Sequence, residues 1–212
     1  MGSRAMDTNL LNAAKKGDTD SVDDMASEGA DIDAADVNGR TGLWFAAANN
    51  DSDMVQILFK HDANANQEDN DGITPLIKAL ESTHWRLAKQ LLERADINHQ
   101  GGDTFFTALH SALNLDLKEE GTQRVEFVMK NGGNARLANA QGLSALDLAR
   151  THGKQWPHAL KLAEVMEEYK DGVEAREKYV AAKIDRGIVK EMRGTSAPVI
   201  APATARFRRM QS

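Results

Sequence analysis

Six histidines, His61, His84, His99, His110, His152 and His158, are the side chains of this sequence best suited to general acid–base work or metal ligation. Their spacing supports neither. They are scattered along the chain, with no second histidine or carboxylate at ligand spacing. The aspartates gather in "ADIDAAD" and "NQEDNDG", where short acidic side chains bond their own backbone in turns. "EDNDG" lacks the closing glutamate of a calcium loop. With no cysteine there is no thiolate nucleophile, no disulfide and no thiolate metal site. Phosphate-cradling glycine loops, nucleophile elbows and zinc-protease motifs are also missing. The sequence therefore reads as a chain without catalysis, metal or cofactor.

Composition places it among folded globular proteins. Of 212 residues, 41% are hydrophobic and 27% charged, enough apolar material for a core. No apolar run approaches the roughly 18 residues of a membrane span. Charge is uneven: residues 183–212 carry a net of +5, which leaves −11 for the remainder from −6 overall. An acidic body ending in a basic tail argues against a nucleic-acid partner. The opening "MGSRAM" resembles an expression scar (1–6). The compartment is therefore expected to be either cytoplasmic or, if a leader preceded residue 7, periplasmic or secreted.

The elements that would position any site come from internal repetition. "GRTGLWFAAANN", "GITPLIKALEST", "FFTALHSALNLD" and "GLSALDLARTHG" align on Thr41, Thr74, Thr107 and Ser144, at intervals of 33, 33 and 37 residues. An earlier copy, "LLNAAKKGD", places Ala13 33 residues before Ala46. Each aligned Thr suits a helix N-cap, Pro75 suits a first helical position, and Leu76 with Ala79 share one helix face. Leu87, Leu91 and Leu92 give a second helix its apolar stripe, and Gly29 and Gly132 suit its left-handed end. A unit of this size cannot bury its apolar face alone, so stability must come from stacking.

These motifs, with "DGITPLIKA" and "ADIN" the closest, resemble the ankyrin repeat over residues 9 to 165. The resemblance implies an all-α solenoid of stacked helix-turn-helix units with β-turn or hairpin fingers. The array spans 7–168, with repeats near 7–35, 36–68, 69–101, 102–138 and 139–168. A C-terminal helix (169–186) and an extended basic tail (187–212) follow. "KQWPHALKLAEVM" reads as a capping helix with Pro157 in its first turn and Leu160, Leu162, Ala163, Val165 and Met166 on its apolar face.

In such scaffolds, function sits on positions that packing leaves free. The family's histidine position holds Trp44, Ile77, His110 and Asp147, and the resemblance implies a structural hydrogen bond for His110. The next position, facing the groove, holds Phe45, Lys78, Ser111 and Leu148. Phe45 is there either to touch a partner or to fill an interface. Trp85 either packs between repeats or stands out as an anchor. Repeat four is the most irregular, with four extra residues within 114–122, expected as a loop between its helices. At its finger Phe105 replaces the turn glycine of its siblings and is expected to be partly covered by neighbouring fingers. Phe106, equivalent to Arg40, Ile73 and Leu143, is expected to be the more outward contact. Gly101 and Gly102 are expected to bend the chain before it.

Together these readings predict a protein-binding module, monomeric when unbound. Its partner contacts would be Arg40, Trp44, Phe45, Ile73, Lys78, Trp85, Phe105, Phe106 and Ser111. The family resemblance further implies a bacterial inhibitor or immunity-type regulator of an enzyme. The alternative is an adaptor or secreted effector acting through the basic tail.

Overall fold

The computed structural model describes residues 2–119, 122–152 and 159–169. All lie in one compact unit, Met1–Arg176, and a second unit, Glu177–Ser212, is wholly outside them. The expected tail (187–212), Pro157 and all but the first residue of the expected 169–186 helix are likewise outside the described residues.

Antiparallel helix pairs follow one another: α1 (Gly2–Lys16) with α2 (Thr19–Ser27), α3 (Gly42–Asn49) with α4 (Ser52–Lys60), α5 (Pro75–Glu81) with α6 (Trp85–Leu91), and α7 (Ala108–Glu119) with α8 (Gln123–Lys130). Then come α9 (Ala145–His152) and α10 (159–169). An inner layer runs α1, α3, α5, α7, α9, each against the next, and an outer layer runs α2, α4, α6. Among the described residues there is no strand. Isolated antiparallel bridges, Ala35–Thr41, Gly101–Phe106 and Ala138–Ser144, close three of the fingers between pairs. The chain is an all-α solenoid of repeats.

Local chemistry sets each inner helix. The Thr41 hydroxyl accepts the Trp44 N–H and that of Thr74 the Ile77 N–H, with Pro75 in the first turn. Ser144 accepts the Asp147 N–H and gives its own O–H to the Asp147 carboxylate, a reciprocal cap. Five residues beyond each cap the alanines line up: Ala46, Ala79, Ala112 and Ala149, with Ala13 in register before them, all buried. Two residues beyond each cap is a second buried column, Leu43, Leu76, Leu109 and Leu146, preceded by Leu10. Small residues set the approach of neighbouring inner helices, and leucines fill the space between layers.

Away from the helices, a side-chain ladder ties the turns together. Asp33 accepts the Asn64 N–H, Asn66 that of Asp96, and Asn98 that of Asn134, each across one repeat. Backbone groups that no helix could satisfy are thus paired from the neighbouring unit.

Two expectations change. The extra residues of 114–122 do not form only a loop: they lengthen α7 to 12 residues against 8 in α3 and 7 in α5. Leu160 is exposed on α10, whose buried face is Ala159, Leu162, Ala163 and Met166. Helical spacing puts Leu160 two residues from Leu162, on the opposite side. Residues 2–6 of the opening segment lie within α1, and Met6 packs against the core.

The longer α7 carries Asp116, fully buried, whose carboxylate accepts the Val125 N–H at 2.9 Å and the Arg124 guanidinium at 3.2 Å. Arg124, also buried, donates to the Leu80 carbonyl at 3.1 Å and the Glu81 carbonyl at 3.5 Å, at the end of α5. One pair therefore starts α8 and closes the previous repeat's inner helix. Asp116→Ala is expected to cost about 3–5 kcal/mol in urea unfolding, because it strands a buried guanidinium. The double change Asp116→Leu with Arg124→Met is expected to cost less than the single one.

Candidate interaction surface

The finger turn is built on one side chain. Asp36 accepts the N–H groups of Asn38 and Arg40, Asp69 those of Asp71 and Ile73, and Asn139 those of Gln141 and Leu143. Within each of these fingers a glycine, Gly39, Gly72 or Gly142, takes positive φ. The fourth finger has Gly102 at the Asp36 position, so it lacks the anchoring side chain. Its left-handed residues are Gly102, at φ 57, and Phe105, at φ 51, the latter in the place of the sibling glycines. A non-glycine residue there costs roughly 1–2 kcal/mol.

Phe105 is 49% exposed. Phe106 is half-buried and stacks on the His110 ring, centroids 5.2 Å apart. The order expected from sequence is reversed. Phe105 is the outward residue because positive φ turns its side chain away from the finger, while Phe106 lies over the inner helix. Of the two glycines expected to bend the chain, Gly102 does so at φ 57, whereas Gly101 takes no positive φ and leaves room: a Cβ there would sit 1.0 Å from the Glu68 carboxylate, which binds His99 at 2.7 Å.

His110 links two repeats. Thr107 N–H donates to its Nδ1, so Nε2 carries the proton and meets the Leu143 carbonyl at 3.3 Å. Burial lowers its pKa, opposed by the Leu143 carbonyl. At the equivalent position two repeats earlier, Trp44 has no such use: its buried Nε1 has no hydrogen-bond partner.

Around Trp44 the predicted contacts converge. Trp44 and Phe45 meet edge to face at 5.2 Å. Arg40 lies 5.3 Å from the Trp44 ring and 5.2 Å from the Phe45 ring, and Lys78 lies 5.1 Å from Trp44. Lys15, which the sequence reading missed, stands 4.6 Å over Phe45. The register places Asn12 at the groove position of this helix, and Lys15 stands three residues further on the same face. Asp36 joins the cluster from below: its carboxylate takes Arg40 Nε at 3.0 Å and Nη2 at 2.8 Å, and Lys15 at 3.4 Å. Burial pushes the Asp36 carboxyl up, but bonds from the Arg40 side chain and from the Arg40 and Asn38 N–H groups outweigh it and hold it at about 2. Lys78 pairs with Glu81 at 3.2 Å.

The remaining candidates lie elsewhere. Ile73 packs against the core, and Ser111 is half-buried on α7. Trp85, on the outer layer, packs on the core and meets Phe127 of the next repeat at 5.5 Å. A cleft of about 550 Å³ at the helix turns, lined by Lys16, Asn50, Asp51 and Arg86 among others, contains none of these residues. Among the described residues no three His, Asp or Glu side chains gather to hold a metal ion. Nor is any described helix long and apolar enough to cross a membrane.

Comparison with known proteins agrees with this architecture. Residues 10–101 match the family model described as ankyrin repeats (3 copies). The chain is 31% identical over 137 residues to Ankyrin repeat protein nuc-2 of Neurospora crassa, covering 64% of this chain and 12% of that protein. It is 33% identical over 141 residues to Ankyrin repeat and SOCS box protein 16 of Homo sapiens, covering 66% of this chain and 30% of that one. The chain thus spans under a third of either relative. With the Putative ankyrin repeat protein YahD of Escherichia coli it shares 24% identity over 190 residues, 72% of this chain and 94% of the relative.

Two outcomes follow from the geometry. Phe105→Gly is expected to raise unfolding stability by roughly 0.5–1 kcal/mol, read from the urea midpoint, since it removes left-handed strain. Because the folded His110 titrates below its unfolded value near 6.5, its contribution is present above that pH and fades as pH falls through it. The drop in melting temperature between pH 7.5 and about 5.5 is therefore expected to be smaller in His110→Gln than in the parent.

Proposed function

We propose that this chain, which belongs to the ankyrin-repeat family, binds a partner protein through two surfaces, the groove at Arg40, Trp44, Phe45 and Lys78 and the fourth fingertip at Phe105. Ankyrin repeats generally mediate protein–protein interaction, and the proposal assigns no catalytic activity.

The observation that carries it is Phe105. A large aromatic residue occupies a left-handed position that sibling repeats give to glycine, and it is turned to solvent. Folding gains little from a half-exposed ring and loses through the strained backbone, so the residue is better explained by contact with something outside the chain. The groove adds a second aromatic pair where the scaffold asks only for a helix surface. Phe106, Ser111 and Ile73 support these contacts from beside or beneath, and Trp85 is spent on repeat packing.

A protein that offers contact without chemistry acts by occupancy. The finer reading is therefore an inhibitor or immunity-type regulator that is monomeric alone and holds a partner enzyme inactive by covering it. The 24% identity to YahD of Escherichia coli, over 94% of that protein, supports a bacterial setting for this reading.

Affinity capture with the full chain should recover one dominant protein. Phe45→Ser with Phe105→Gly should reduce that recovery at least about tenfold, the loss of one hot-spot contact, without lowering the melting temperature. Undiminished recovery by the double variant would sink the surface assignment. An isolated partner enzyme whose activity is unchanged by equimolar chain would sink the inhibitor reading.

A further inference from the structure

The groove carries a charge pattern opposite to the body around it. Excluding residues 183–212, the chain sums to −11. Yet three cations, Lys15, Arg40 and Lys78, collect over two aromatic rings, with only Asp36 and Glu81 to balance them. All three are reachable, their side chains 32%, 32% and 26% exposed.

Their hydrogen-bonding capacity is only partly used. Arg40 gives Nε and Nη2 to Asp36, which leaves Nη1. Lys15 and Lys78 each meet one carboxylate oxygen and have three donors apiece. The rings hold the cations in place by cation–π attraction without consuming a donor. A guanidinium and two ammonium groups, fixed side by side with spare N–H groups, are preorganised for carboxylates. Further along the same inner face the charge fades: Ser111 and Leu148 take the groove position, with Phe106 and Leu143 at the finger bases.

We propose that the groove receives an acidic segment of the partner protein, its carboxylates on Lys15, Arg40 and Lys78 and its apolar residues continuing toward Phe106, Leu143 and Leu148. This rests on the protein-binding reading above and adds the partner's chemistry and polarity. The net negative charge of the body disfavours an acidic segment in general, so the three gathered cations are what select this groove.

The test uses the full chain, immobilised, against a phage-displayed random peptide library, followed by anisotropy titration of an enriched peptide. Enriched peptides should carry excess Asp and Glu toward one end, and their affinity should fall steeply with added salt. The charge swap Lys78→Glu with Glu81→Lys keeps net charge and the local ion pair but moves the cation off Trp44. It should weaken binding at least about tenfold. If the swap lowers the melting temperature, Lys15→Met supplies the same reading with the aliphatic stem retained.

Enriched peptides that are neutral or basic, yet lose binding in Phe45→Ser, would overturn the acidic assignment and leave the protein-binding reading intact. Acidic peptides indifferent to both variants would overturn it too. A dimer in sedimentation, dissolved by the swap, would give the groove to a second copy of this chain and equally overturn the proposal. Failure of Phe45→Ser with Phe105→Gly to diminish native capture is the separate result that would remove the underlying reading.

Discussion

Close approach of the inner helices is the constraint on which the rest of the molecule depends. Ala13, Ala46, Ala79, Ala112 and Ala149 lie on consecutive inner helices in the same register, all buried. No larger side chain fits a column that every repeat must share without separating its neighbours. The spacing this sets brings the Asp33, Asn66 and Asn98 side chains to the next unit's backbone N–H groups. It also brings His110 to the Leu143 carbonyl. Change the helix spacing and both sets of inter-repeat bonds are lost, because hydrogen bonds tolerate only a few tenths of an ångström.

With the column fixed, a residue two positions before the alanine is free to be anything the polar scaffold can tolerate. His110 uses that place to join repeats, whereas Trp44 gives up the bond and leaves an indole N–H buried without an acceptor. Such a donor costs on the order of 1–3 kcal/mol. In return the ring is presented to Arg40 and Lys78. The two residues occupy equivalent sites and serve opposite ends, one cohesion between units, the other a surface.

How much of this was legible in the sequence follows from whether a feature is periodic. The caps Thr41, Thr74 and Ser144 and the Ala and Leu columns repeat, so aligning four segments was enough to place them. Phe45 and Lys78 followed, because a groove position is fixed once the register is known. Lys15 was overlooked because the register gives the first helix's groove position to Asn12, and Lys15 lies three residues beyond it on the same helix face. The misreadings fall where periodicity stops. The extra residues of repeat four became helix because Asp116 found a buried partner in Arg124, a contact no spacing rule anticipates. The Phe105–Phe106 order was inverted because the left-handed φ that the aligned glycines marked at 105 was not carried through to which ring faces water. Of the glycine pair expected to bend the chain, Gly102 takes the left-handed turn, while Gly101 serves as room for Glu68.

These irregularities belong to one junction. Backbone bonds join the second finger to the third, Asn70 N–H to Asn38 carbonyl, and the fourth to the fifth, Ala140 N–H to Thr104 carbonyl. Among the described residues the equivalent bond from Asp103 to Asp71 is not made. Having Gly102 in place of an anchoring carboxylate removes the turn that would have aligned it. Between those same two repeats sit the Glu68–His99 pair and the Arg124 clamp on the end of α5. In a repeat array stability is summed from neighbouring interfaces, so a weakened finger contact can be offset only at its own junction. The extended α7 and its buried Asp116–Arg124 pair supply that offset from the opposite end of the same interface. The fourth finger is thereby released from the third and can carry a strained, outward Phe105 while the repeats beneath it stay in register.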